Sequence, residues 1–501
     1  MRINDSLLVP ILNGQSYSPK PPLFFWLILL FWRLFGSNIV AARILPFVFA
    51  LGNIFLLHLI GLQLWPNDKK TAFYAPVLLS STLIWNLWAS LIMFDMILSF
   101  WVLMGVLGVI LVFRSPGWAP CSLLAIAIAG GILTKGPVIF VHVVPVLLFA
   151  PWWNREKRLP RKWYVAAFVA LFAGAVCSLA WAVPAAIRGG EDYRNAIFFG
   201  QTFDRVVSSF AHRRNLLFYL PFLPLMLFPW CYFKPCWTGF RSATRDDGKR
   251  FCLAWFFSSL IVLSLISGKQ FYYLLPEIPA LILLFSKGIA STGEPENGTR
   301  AKPVVIGTMI CIAGCVLCLE PIIMIAYGAD YISIVLMLFG GLGSIGVGIF
   351  LLRHSFKSQE KAVIGSAFGS ILLLVMLLIG ERSVLKRFDL SQASRIIGQA
   401  IDDGIVVANE GRYRGEYHFL GGLRKPIVIL KTEEESIKFV NDNPDGLVIS
   451  HTKTRGQSET RGSYYNRPYR RTNLVVWRAK DYLDHMDKYV IENESSPKAI
   501  Q

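Results

Sequence analysis

Four stretches of the chain set ionisable side chains against apolar and aromatic runs, where a charge is costly unless it is used. From Asn13-Gly14 to Lys20-Pro21-Pro22, one lysine stands among turn-forming residues directly ahead of Leu23-Phe24-Phe25-Trp26. An ammonium held where water meets lipid suits a lipid phosphate. Asp95 follows Met93-Phe94 and opens an apolar run, so its carboxylate sits at a helix N-terminus, favoured by the helix dipole and able to accept a proton. A polar loop over 187–215 carries Arg188, Arg194, Arg205, Arg213 and Arg214 with His212, and guanidinium forks bind phosphate oxygens through paired hydrogen bonds. Ser267-Gly268-Lys269-Gln270-Phe271-Tyr272-Tyr273 adds a lysine and two tyrosines at the head of another apolar run. The combined chemistry is cations that hold a phosphate beside a carboxylate that takes a proton.

These groups need a membrane scaffold. The chain has 501 residues, 54% of them hydrophobic, and a mean hydropathy of +0.49, too apolar for a soluble protein of ordinary composition. Runs long enough to span a bilayer fall near 39–65, 71–90, 92–113, 119–134, 136–152, 163–186, 216–233, 251–267, 271–287, 303–327, 330–352 and 361–380, which predicts about twelve spans. The formal charge of +18 comes from short basic clusters between apolar runs, which read as topology signals and not as a nucleic-acid surface. Lys69/Lys70, the cluster at 155–162, Arg241 to Arg250 and Arg353 to Lys361 fall on one side if the spans alternate, and the positive-inside rule makes that side cytoplasmic. The Lys20 stretch, Asp95, the loop 187–215, Lys269 and everything after about residue 381 then share the other side.

The eight cysteines lie in or beside apolar runs and predict neither a disulfide framework nor a metal site; Cys311, Cys315 and Cys318 on one helix face read as small-residue helix packing. His142, inside an apolar helix, reads as a packing residue. After Leu385 the composition changes to short β-branched runs at 404–408, 426–430, 446–450 and 473–477, alternating with polar helical stretches at 391–402 and 433–441, a small α/β domain over 381–490. The tail 491–501 reads as disordered.

Leu8-Val9-Pro10 with Leu12-Asn13-Gly14, then Lys20-Pro21-Pro22-Leu23 and Ala41-Ala42-Arg43, resemble the first extracytoplasmic loop of bacterial GT-C superfamily glycosyltransferases, in the branch of the protein O-mannosyltransferases and the lipid A aminoarabinose transferase. The resemblance continues through Asp95, Thr134-Lys135-Gly136-Pro137, the Phe-Phe…His-Arg-Arg loop and the Lys269 stretch, and covers most of residues 8–280. It implies a GT-C-like fold, with 1–38 as part of the first loop and 39–380 as the transmembrane domain. It also implies a polyprenyl (undecaprenyl) phosphate sugar donor, held by Lys20, Arg43, Arg205, His212, Arg213, Lys269, Tyr272 and Tyr273, with Asp95 as the catalytic carboxylate. Lys135 would be a structural turn residue. Asn215 stands where the family has proline, and a histidine that many relatives carry after Phe-Phe is absent, which weakens any metal site built on it.

The expected reaction is attack of an acceptor hydroxyl on C1 of the donor sugar with inversion; Asp95 either takes the proton or holds a divalent cation near the phosphate. The acceptor is a lipid such as lipid A, a glycan or a protein, outside a bacterial inner membrane. The family also places a helix and an acidic pair before the Leu-Val-Pro stretch, which implies that they lie upstream of Met1. Two rival readings are a lipid-linked sugar transporter or flippase and an inactive relative that only binds the lipid-linked sugar. Against the first, the polar residues gather in loops on one face instead of in broken midplane helices.

Overall fold

The computed structural model describes residues 7–154, 161–200, 214–241, 245–292, 303–326, 331–356, 358–380, 388–452, 462–470 and 472–483. Arg205, His212, Arg213 and the tail 491–501 lie outside the described residues. The chain is a polytopic α-helical membrane protein with a small α/β domain at its C-terminal end.

A short hairpin, β1 (Ile11–Leu12) and β2 (Gln15–Ser16), precedes helix α1 (Leu23–Phe35), and then the bundle begins. Its first helices are α2 (Ile39–Leu64), α3 (Lys69–Ser80), α4 (Leu83–Ser90), α5 (Asp95–Arg114), α6 (Trp118–Lys135), α7 (Ile139–Leu148) and α8 (Arg161–Asn195). After a stretch of short turns come α9 (Asp247–Leu265), the 3-10 segment Phe271–Glu277 running into α10 (Ile278–Ser291), and α11 (Val304–Ala326), α12 (Tyr331–Arg353) and α13 (Gln359–Gly380). Among the described residues nine helices are long and apolar enough to cross a membrane, ten if the pair α3 and α4, bent by 58°, counts as one span. Caps mark where helices start: Asn38 accepts from the Ala41 N–H at 2.8 Å, Asp68 from Thr71 at 3.1 Å and Asp246 from Lys249 at 2.9 Å.

The stretch 216–233 does not form the straight helix its apolarity predicts. Pro221, Pro224 and Pro229 break it into short pieces, and Pro235 follows in the next turn, because each proline lacks an N–H and clashes with the preceding turn. It nevertheless runs the length of the bundle. At one end Arg214 N–H bonds the Ser267 carbonyl, midway Trp230 Nε1 donates to Leu78 O at 2.8 Å, and at the other end the Arg241 carbonyl accepts from Lys249 Nζ. Irregular backbone at membrane depth is tolerated when neighbouring protein supplies its hydrogen bonds. Among the described residues the nine or ten spans fall short of the about twelve that hydropathy predicts, because the runs at 136–152 and 216–233 form only short helices: α7 has ten residues, and prolines divide the second run.

The ends of chain beside Lys69/Lys70 and Arg241 to Arg250 meet at one end of the bundle, the lower end: Lys287 pairs with Asp68 at 2.7 Å, Trp65 Nε1 donates to Asp246 at 3.0 Å, and the Arg114 guanidinium reaches the Gln63 carbonyl. The upper end carries the hairpin, α1 and the C-terminal domain.

That domain is a five-stranded sheet in the order β4-β3-β5-β7-β6, with β3 (Val407–Glu410), β4 (Val428–Leu430), β5 (Leu447–Thr452), β6 (Tyr465–Tyr469) and β7 (Thr472–Arg478). β4, β3 and β5 are parallel, and β7 and β6 add antiparallel. Alternate residues build a core on each face: Val407, Leu447, Ile449, Leu474 and Val476 pack under α14 (Ser391–Asp402), while Ala408, Val448, Val475 and Trp477 pack with α15 (Glu433–Asp442).

Candidate active site at the upper end of the bundle

Asp95 is the first residue of α5 and Lys135 the last of α6, so the two helices deliver a carboxylate and an ammonium to the same level. Close contact of α5 and α6 makes this possible. A side chain at Gly130 would run into the Trp101 ring, whose Nε1 donates to Thr134 Oγ1 at 3.0 Å. Lys135 Nζ lies 2.6 Å from Asp95 Oδ1, with the two side chains only 12% and 4% exposed. Tyr273 and Tyr272, from the 3-10 segment, turn their rings to the same ammonium, 4.8 and 5.7 Å from their centroids. Tyr272 also packs on Trp88.

Lys20 reaches this group from the first loop: its Nζ stands 5.7 Å from the ring of Phe94, the residue before Asp95. The rings of Phe24 and Phe25, from α1, close on Phe94 from the same side. The structure therefore brings Lys20, Asp95, Tyr272 and Tyr273 together, and adds Lys135, which the sequence reading had left as a turn residue.

Two other candidates sit differently. Arg43 is exposed on the second turn of α2 and is not buried with this group. Lys269 is 2% exposed, and its Nζ donates to the Arg214 carbonyl at 3.0 Å, tying the end of the 187–215 loop to the Ser267 turn.

The hairpin tip is clamped under the C-terminal domain. Asn13 Nδ2 donates to the Ile427 carbonyl at 2.9 Å and Asn13 Oδ1 accepts from the Ile427 N–H at 2.7 Å, a pairing made possible by the left-handed Asn13 and Gly14. Trp32 of α1 stacks on Phe419 at 5.0 Å. Between hairpin, α1 and domain lies a largely apolar cavity of about 470 Å³, lined among others by Tyr17, Phe25, Trp32, Phe94, Arg414 and Phe419. Phe94 is common to the cavity wall and to the Lys20 contact.

Deeper in the bundle, His142 Nδ1 and Glu277 Oε1 are 2.5 Å apart, with side chains 1% and 0% exposed. Sequence reasoning treated His142 as packing and missed Glu277. The signal was present: an acidic residue in one apolar run and a histidine in another are each costly alone at membrane depth, so each implies the other as partner. Among the described residues no three His, Cys, Asp or Glu side chains converge as a metal set. The Asp95 carboxylate faces the Lys135 ammonium.

Comparison with known proteins gives these features a family context. Residues 19–181 match the model of the family described as dolichyl-phosphate-mannose-protein mannosyltransferase. The chain is 27% identical over 316 residues to an undecaprenyl phosphate-alpha-4-amino-4-deoxy-L-arabinose arabinosyl transferase of Erwinia tasmaniensis, a match covering 61% of this chain and 56% of that relative. It is 25% identical to the corresponding transferase 2 of Pseudomonas fluorescens over 97% of this chain and 88% of the relative. In fold it resembles the crystal structure of ArnT from Cupriavidus metallidurans bound to undecaprenyl phosphate, with a TM-score of 0.72 at 18% identity over 94% of this chain and 90% of that one. The apo structure of the same protein gives 0.70 at 17% identity, over 96% and 91% of the two chains. Over residues 19–181 the chain is thus similar to that mannosyltransferase family, and over most of its length it has the fold of ArnT.

Proposed function

We propose that this protein is an integral membrane glycosyltransferase that moves a sugar from a polyprenyl phosphate, undecaprenyl phosphate in a bacterial inner membrane, to an acceptor on the periplasmic side. The observation that carries this reading is the buried Asp95–Lys135 pair, walled by Tyr272 and Tyr273 and adjoined through Phe94 by Lys20. The acceptor hydroxyl attacks C1 of the sugar. The C1–O bond to the phosphate breaks, its electron pair leaves with the phosphate, and the anomeric centre inverts.

Asp95 takes the hydroxyl proton, and Lys135 and Lys20 face the charge that grows on the departing phosphate. A polyprenyl phosphate is already a stable leaving group, so the chemistry needs no strong acid. The apolar cavity beside Phe94 suits a hydrocarbon tail entering next to the cations. The relatives' names and the likeness to a structure holding undecaprenyl phosphate support the choice of donor. The basic lower end supports a periplasmic upper end, by the positive-inside rule.

The test is mass spectrometry of lipid A, envelope polysaccharide and surface glycoproteins from cells lacking the chain, complemented by wild type or by Asp95→Asn. One sugar mass lost and restored only by the wild type supports transfer and names the acceptor class. Unchanged glycans with lipid-linked sugar accumulating on one side of the membrane would replace this reading with transport.

A further inference from the structure

The His142–Glu277 pair is the most deeply buried ion-pair geometry among the described residues, and the mechanism above does not use it. Its location gives it a task. His142 stands on α7, which begins just after the Lys135-Gly136-Pro137 turn, and Glu277 ends the 3-10 segment that carries Tyr272 and Tyr273. The same two stretches of chain therefore touch twice, Lys135 on Tyr273 at the upper end and His142 on Glu277 one level below. A slide or rotation of one stretch past the other breaks both contacts together.

Apolar packing between these stretches does not by itself choose one register, since hydrocarbon contacts are non-directional. A buried hydrogen-bonded pair does, because any other register leaves a carboxylate or an imidazole without its partner at membrane depth. Glu277 Oε2 and the buried Tyr219 hydroxyl have no hydrogen-bond partner among the described residues, so the described hydrogen bond holding this carboxylate is the one shared with His142. From α9, Ser259 Oγ donates to the Val141 carbonyl at 3.4 Å and steadies α7 from its other side.

We infer that His142 and Glu277 are positioning residues: their pair sets the register that holds Lys135 between Asp95 and Tyr273. The inference rests on the proposed function only for its consequence in catalysis, because the register itself is read without substrate.

The experiment uses the full-length purified protein in lipid nanodiscs, with acetic anhydride labelling of lysines followed by peptide mass spectrometry. Lys135 is shielded in the wild type, while the exposed Lys69 and Lys234 serve as internal references. The variant His142→Leu/Glu277→Leu replaces the pair with apolar groups, an exchange that buried pairs often tolerate in stability.

The expected result is wild-type melting with Lys135 labelling faster by roughly tenfold, the scale of coupling within one network, and unchanged labelling of the references. Undecaprenyl phosphate binding, measured on the same samples, should weaken in parallel. The amide pair His142→Gln/Glu277→Gln keeps a hydrogen bond at the same place and should restore the shielding. If the leucine variant does not fold, the glutamine pair is compared with Glu277→Leu in protein that melts normally.

Lys135 shielding equal to wild type in a folded leucine variant would overturn the inference, because a merely structural pair predicts that outcome. Failure of the wild type to bind undecaprenyl phosphate would strike the proposed donor and leave the labelling result to decide the register.

Discussion

Asp95 shows how one side chain is made useful by three elements. The dipole of α5 favours a carboxylate at its first turn, the C-terminus of α6 supplies the ammonium, and the 3-10 segment supplies aromatic walls. Asp95→Asn keeps shape and hydrogen bonding but removes the proton acceptor. The expected loss in turnover is about 10²- to 10⁴-fold, with little change in donor affinity, measured with purified protein and a lipid-phosphate sugar. Lys135→Met removes a cation instead and leaves Asp95 buried without its partner; it should weaken undecaprenyl phosphate binding as well as turnover, read by comparing binding and rate in one preparation. Equal binding by Lys135→Met and wild type would restrict Lys135 to holding Asp95.

At the scale of elements, the broken crossing and the first-loop hairpin do what regular helices cannot. The crossing passes so close to α10 that a methyl group at Gly239 would strike the Leu284 carbonyl, while Thr238 Oγ1 donates to Gly288 O at 2.8 Å. Gly239→Ala should therefore cost about 1–3 kcal/mol, the usual range for overpacking, seen as a lower melting temperature in detergent. The hairpin depends on Asn13. Asn13→Ala loses both bonds to Ile427, each worth about 0.5–1.5 kcal/mol, and should speed backbone hydrogen exchange across 10–17 and 426–428 while leaving the bundle unchanged.

At the scale of the molecule, the C-terminal domain roofs the cavity and shares its wall with α1. His418, next to the Phe419 that stacks on Trp32, shares a hydrogen bond of 2.6 Å with Tyr413. Burial pushes its imidazole below the ordinary histidine value of 6.5. The unfolded domain binds the proton more readily than the folded one. This contribution to stability is therefore complete above the ordinary value and is lost as pH falls through the folded one. Protection of Val407–Glu410 and Leu447–Thr452 from hydrogen exchange, taken relative to the intrinsic amide rate at each pH, should fall between about pH 7.5 and pH 5.5, and His418→Gln, which cannot titrate, should flatten that slope. An equal slope in the variant would assign the pH dependence to other groups.

The sequence by itself determined the membrane class, most of the spans, the α/β character of the end of the chain and the side on which its ionisable groups gather. Each of these follows from hydropathy, periodicity or charge counted along the chain, and such signals are local. Lys20, Asp95, Tyr272 and Tyr273, which the structure sets near one another, stand out in the sequence for the same reason, since a polar group at the mouth of an apolar run is visible wherever its partners lie. Pairing was decided only in the tertiary structure. Lys135 looked like a turn residue until α6 brought it to Asp95, Lys269 looked like a phosphate ligand until its ammonium met the Arg214 carbonyl, and His142 looked inert until Glu277 was found facing it. The apolar run at 216–233 counted as an ordinary span until its prolines broke it and its Trp230 indole met the Leu78 carbonyl of a neighbouring helix. The energy of a buried charge or an unpaired carbonyl depends on what stands within about 3 Å of it, and that distance is set by packing between residues up to hundreds of positions apart.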